Sequence, residues 1–175
     1  MIEVILGVIV FISLLLIIIT ICSNKFKFAL IKIEKAEEDI KLYLDRKKDL
    51  LKRTQPIIKK ELKSKSFLND IDSENEFNNF QLHDFLKSNY NELLKVLDDN
   101  EKLFKSDALV KILEDLNDNE ENILGAIKFY NDTVVGLNKL VISFPSNIIA
   151  FFLRCHEKEF YNNEKREMFE ILNKK

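Results

Sequence analysis

The chain has 175 residues, 46% hydrophobic and 32% charged, with three Gly, two Pro and no Trp. That length holds one ordinary domain and little more, and so few turn-forming residues argue against sandwiches, barrels and Rossmann-type folds and for an all-α chain. The formal net charge of -2 removes the simplest nucleic-acid reading, because duplex binders are strongly basic, so no nucleic-acid partner is expected.

Val4 to Cys22 is a run of nineteen residues without a charge, mostly Ile, Leu and Val. As a helix it is roughly 28 Å long, close to the hydrocarbon thickness of a bilayer, so a transmembrane anchor over 1–24 is predicted. A cleaved signal peptide fits poorly. The leading Met1-Ile2-Glu3 carries no Lys or Arg, and no small-x-small site follows the run. Cys22 does not make a lipoprotein signal, since Ile21 stands where a small residue belongs. Lys25, Lys27, Lys32 and Lys35 follow the run, whereas only Glu3 precedes it. The positive-inside rule therefore expects a single-pass protein of the bacterial cytoplasmic membrane, with its N-terminus outside and its body in the cytoplasm. A body on the outer face is the alternative, because long domains cross regardless of charge. The two cysteines, Cys22 and Cys155, imply no disulfide framework.

The body is read as a bundle over 25–155 followed by a charged tail over 156–175. From Phe26 to about Leu62, apolar residues recur at helical spacing through Ile33, Ala36, Ile40, Leu44, Leu50, Leu51 and Ile58. Lys47 and Thr54 interrupt the stripe, and Pro56 predicts a kink near Lys52 or a helix restart. Ser64 to Asn79 lacks a sustained period and reads as a loop. A second helix is expected from about Phe80 to Phe104, and Ser106 or Asp107 can cap the third. In that third helix Leu109, Leu116, Ile123, Tyr130 and Leu137 repeat every seven residues, and Leu113, Glu120, Ile127, Val134 and Val141 fill the companion register. It should pack along its whole length against an antiparallel neighbour. Gly125 and Gly136 suggest close helix approach. Phe144-Pro145 should stop the helix, and Ser146 should cap a short apolar one over Asn147 to Leu153. The predicted architecture is thus a transmembrane helix followed by an antiparallel bundle of three long helices and a short fourth.

Charge is segregated along this plan: Lys25 to Lys65 carries fourteen Lys or Arg against seven Asp or Glu, and Ser66 to Lys128 six against fifteen. Basic and acidic helices can compensate one another within the bundle, and the membrane-proximal lysines can also meet anionic headgroups.

The two histidines, His83 and His156, have Phe80 and Leu153 three residues before them, which excludes the Glu-x-x-His pairs of di-iron bundles. Cys155 and His156 are adjacent and point about 100° apart on a helix, a poor nucleophile and base pair. Asp70-Ile71-Asp72-Ser73-Glu74 starts like a calcium loop, but Asn75 replaces the turn glycine and Gln81 the bidentate Glu. No catalytic residue, metal or cofactor is expected. Glu120, however, interrupts an apolar register and needs a cation. Arg46 and Arg53 are the expected partners in a structural ion pair. Asn117, Asn131 and Asn138 share a stripe beside the seam, where they can bond across helices, the commoner case, or line a partner site.

The pattern Leu116-x3-Glu120-x2-Ile123-x2-Ala126-x3-Tyr130-Asn131-x2-Val134-x3-Asn138-x5-Phe144-Pro145-Ser146-x3-Ala150 resembles the C-terminal signature of the LemA family of bacterial membrane proteins. Ala36-x3-Ile40-x3-Leu44-Asp45-Arg46-Lys47-Lys48-Asp49-Leu50 is similar to that family's first-helix motif. The chain departs from the family at Ile127, Leu137 and Lys52, where Arg, an aromatic residue and Pro are usual. The resemblance implies a single-pass membrane protein with a helical bundle and no established catalysis. Two functions fit: a noncatalytic adaptor or scaffold binding a protein partner at the bilayer, or a membrane-remodelling or organising protein in which the Lys25 to Lys65 surface and the apolar Asn147 to Leu153 helix engage anionic headgroups.

Overall fold

The computed structural model describes residues 1–62 and 77–161. The helices are α1 (Ile2–Leu62), α2 (Asn79–Asp98), α3 (Asp107–Ile142) and α4 (Ser146–Leu153), with a 3-10 turn at Glu101–Lys105 and no strand among the described residues. The all-α architecture, with three long helices and a short fourth, is the one expected. The calcium-like stretch Asp70 to Glu74, most of the expected loop and the tail beyond residue 161 lie outside the described residues. The chain forms two compact units: a central unit, Ala36–Lys128, and a terminal unit that joins residues 1–35 to the chain from Phe129 onward.

In the central unit, Ala36, Ile40, Leu44, Leu50, Leu51 and Ile58 of α1 are buried, as are Leu86, Leu93 and Leu97 of α2 and Leu109, Leu116 and Ile123 of α3. These are the stripes that the helical period marks. Arg46 stands near Asp115 and Tyr43 near Asn119, so α3 runs antiparallel to α1. Asn79 beside Glu37 and Tyr90 beside Lys47 make α2 run in the same direction as α1. α1 continues through Pro56 with no restart, and in the turn before it the Thr54 hydroxyl donates to the Leu51 carbonyl at 2.7 Å. A capping box opens α2, with the Gln81 N–H donating to the Asn78 side chain and the Asn78 N–H to the Gln81 side chain, each at 3.0 Å. α2 ends at Asp98, six residues earlier than Phe104. The Asn100 backbone leaves the helical region (φ -140°, ψ 72°) and its side chain donates back to the Val96 carbonyl. Ser106 accepts from Leu109 and Val110 at the start of α3.

In the terminal unit, Phe26, Ile33, Tyr130, Val134, Leu137, Ile149 and Ala150 are buried. None of the apolar window of α1 is buried. A 99° bend at Ser143-Phe144-Pro145 separates α3 from α4, and the Phe144–Pro145 peptide is cis. Ser146 does not cap α4 as expected. It is the first helical residue, and its hydroxyl donates to the Leu140 and Ser143 carbonyls, closing the end of α3 instead. α4 ends in a Schellman motif, with Arg154 left-handed at φ 52°, its N–H on the Phe151 carbonyl and that of Cys155 on Ala150.

Residues 158–161 form a strap along α3, where the Asn138 side chain bonds both the N–H and the carbonyl of Lys158 at 2.9 Å. Asn131 accepts from the Tyr161 N–H at 2.9 Å, and the Tyr130 hydroxyl donates to the Glu159 carbonyl at 3.0 Å. The rings of Tyr130 and Tyr161 meet edge to face at 5.0 Å. Asn131 and Asn138 therefore grip an extended segment and not a neighbouring helix, while Asn117 is exposed. The glycines also differ from expectation, because a Cβ at Gly125 or Gly136 would meet nothing within 4 Å. No helix approaches closely there.

Two outcomes follow for the full chain in detergent. Gly125→Ala should raise stability by up to about 1 kcal/mol, since propensity improves with no clash, read as a higher melting temperature. Asn138→Leu should lower it by about 1–3 kcal/mol and expose the amides of 158–161 to hydrogen exchange, because it leaves the Lys158 backbone groups without partners.

Candidate functional site

All three helices of the central unit contribute polar side chains to one interior layer. α1 supplies Lys47, α2 supplies Asn89 and Tyr90, and α3 supplies Asn119 and Glu120. The Lys47 side chain is 1% exposed and donates to the Glu120 carboxylate, which is 24% exposed. Its ammonium also lies 5.0 Å from the centre of the Tyr90 ring, within cation–π range. Asn119 donates to the Tyr43 carbonyl of α1 at 3.0 Å and Asn89 to the Phe85 carbonyl of its own helix at 2.9 Å.

Glu120 thus has the cation on α1 that its register demands, but the cation is Lys47 and neither expected arginine. Arg46 is half exposed and 3.8 Å from Asp115, and Arg53 lies 4.0 Å from Asp49 of its own helix. The reason is phase. Arg46 and Arg53 are seven residues apart on the solvent face, where ion pairs contribute little. Lys47 and Thr54 occupy the same heptad spacing one residue on, inside the stripe, and both are buried. The signal was the basic residue interrupting the α1 stripe, matched to the acidic residue interrupting that of α3. Asn89 and Asn119 carried no comparable mark in the sequence.

Burial pushes the Lys47 ammonium below its ordinary value, with Lys87 adding to the effect and the bond to Glu120 opposing it. Burial, then the charge of Glu120, pushes the Tyr90 phenol up, which keeps it neutral. A lysine with a lowered pKa can be a nucleophile or base, yet this one is sealed inside the bundle and held by its carboxylate. The layer is built as structure. Among the described residues, no group of three or more His, Cys, Asp or Glu could hold a metal ion. His83 lies 3.2 Å from the Asp84 carboxylate, and His156 is exposed.

The terminal unit carries the second candidate feature. Lys25, Lys27, Lys32 and Lys35 are all exposed. Lys25 and Lys32 flank a groove of about 640 Å³ whose floor includes Phe28, Phe129, Gly136 and Leu140. Gly136 leaves that floor open.

A family model for LemA matches residues 33–171, most of the chain. This protein belongs to the LemA family. No curated protein and no solved structure matches it. The match covers the LemA bundle and the strap together, consistent with residues 158–161 being packed on α3. In this LemA protein the departures at Ile127 and Leu137 are both buried apolar positions, so the core accommodates them.

The polar layer makes asymmetric predictions. Glu120→Gln leaves a buried ammonium without its carboxylate and should cost about 3 kcal/mol in a denaturant melt. Lys47→Met leaves Glu120 a path to water and should stay within about 1 kcal/mol of the parent. Because the folded state holds the Lys47 proton less tightly than the unfolded chain, this group adds stability as pH rises toward 10.5 and loses it as pH falls. Melts of the parent and Lys47→Met across that range should differ by this slope.

Proposed function

We propose that this LemA protein is a noncatalytic adaptor or scaffold, anchored by the start of α1, that presents its helical body to a protein partner at the membrane. The observation that carries the reading is α1 itself. It is a helix of 61 residues whose apolar start is wholly unburied and whose later turns supply the core stripe of the bundle, with no linker between. Such a tether confines a binding surface to the bilayer and raises its effective concentration toward other membrane proteins. The four exposed lysines after the apolar run favour a single-pass arrangement in the cytoplasmic membrane with the body inside. They also support a second reading, in which the same lysines hold anionic headgroups and the protein organises lipid.

Proximity labelling in cells separates the two. The full chain and a chimera carrying an unrelated single span in place of residues 2–22 should mark the same membrane proteins, and a chain lacking 2–22 should lose them. If the chimera marks only what a bare span marks, the adaptor reading fails. On the lipid reading, replacing Lys25, Lys27, Lys32 and Lys35 by Gln should abolish salt-sensitive binding to anionic vesicles. An impermeant thiol reagent should reach Glu121→Cys, in a chain with Cys22 and Cys155 replaced by Ser, only after lysis; labelling of intact cells would place the body outside.

A further inference from the structure

α4 is apolar nearly all the way round: of its eight residues only Ser146 and Asn147 are polar. Helices of that composition are ordinarily enclosed by protein or lie in lipid. Ile149 and Ala150 are buried inward, but Phe151 and Phe152 are 79% and 78% exposed, Ile148 is 50% exposed and Phe144, just before the helix, is 81% exposed. Ile148, Phe151 and Phe152 recur at spacings of three and four, so they form one outward face of α4, and Phe144 is exposed in the bend that precedes it. A contiguous patch of this kind marks a contact surface.

The position of α4 in the terminal unit identifies what covers it. Within that unit α3 lies against the start of α1, and its last turns, at Gly136 and Leu140, line the same groove as Asn24, Lys25 and Phe28. Asn24 and Lys25 come two and three residues after Cys22, where the uncharged run ends. With α1 across a bilayer, the end of α3 therefore stands at headgroup level. The 99° bend then sends α4 sideways, along the bilayer plane and not away from it. Cations bracket the helix, Lys139 in the last turn of α3 and Arg154 at the end of α4. Arg154 takes a left-handed backbone that glycine adopts with less strain, so a positive charge stands where an uncharged residue would fit more easily.

We propose that α4 is a second membrane contact: an interfacial helix whose Phe144, Ile148, Phe151 and Phe152 enter the carbonyl and upper acyl region of the leaflet from which α1 emerges. Its partner is the lipid bilayer, by burial of apolar and aromatic area, and not a protein groove. The inference rests on α1 spanning that bilayer. It differs from headgroup binding by the lysines, because neutral lipid suffices.

The chain contains no Trp, so one introduced Trp is an unambiguous reporter of depth. Phe152→Trp, Phe11→Trp and Leu124→Trp replace exposed side chains and keep the fold. Each full-length variant is reconstituted in phosphatidylcholine vesicles with or without bromine on the upper acyl carbons. The expected result is loss of most emission at positions 152 and 11 in brominated vesicles, with a blue-shifted spectrum, and no change at position 124. Quenching at 11 without quenching at 152 overturns the interfacial helix while leaving the anchor intact. Absence of quenching at both overturns the anchor as well. A blue-shifted but unquenched Trp at 152 shows that protein covers α4, a second copy if the shift depends on the protein-to-lipid ratio, and also overturns the proposal.

Discussion

One helix has to satisfy two solvents. The first turns of α1 present Ile, Leu, Val and Phe in every direction, which costs free energy in water and nothing in hydrocarbon. Past Ile33 the same helix narrows its apolar surface to a buried stripe through Ala36, Ile40, Leu44, Leu51 and Ile58, with Leu42 the exposed exception among the described residues. The change from all-round to one-sided hydrophobicity is spread over Lys25 to Ile33, where the first lysines alternate with exposed Phe28, Leu30 and Ile31.

Within the central unit the cover is mostly Leu and Ile, and the polar layer is the exception. A buried ion pair gives little net stability compared with an apolar replacement, because both charges lose water. What it does supply is a penalty for misalignment. Sliding α3 by one turn against α1 would set Lys47 against Ile123 or Leu116 and leave two charges without partners. Apolar side chains alone would tolerate such a slip far better.

The third helix was legible because its heptads are long and nearly pure; Leu109, Leu116, Ile123, Tyr130 and Leu137 are all buried as the repeat requires. The ion pair was legible by half. The need of Glu120 for a cation is a property of its position, but the choice among Arg46, Lys47 and Arg53 depends on phase, and the interrupted α1 stripe already contained it. The end of α2 was misread because Asn100 competes for the Val96 carbonyl through its side chain, a local bond that apolar spacing does not record. The strap was missed for a different reason. Glu157, Lys158 and Glu159 look like a solvated tail, and their charged side chains are indeed outside. It is their main-chain atoms that are held.

That last feature has an evolutionary corollary. Asn138, Asn131 and Tyr130 grip N–H and C=O groups that every residue except proline possesses. The latch at 158 and 159 thus reads the main chain, and at position 158 proline, with no N–H to give Asn138, is the residue it excludes. Constraint falls on the clasping residues of α3 and, in the clasped stretch, on Tyr161, whose ring closes against Tyr130.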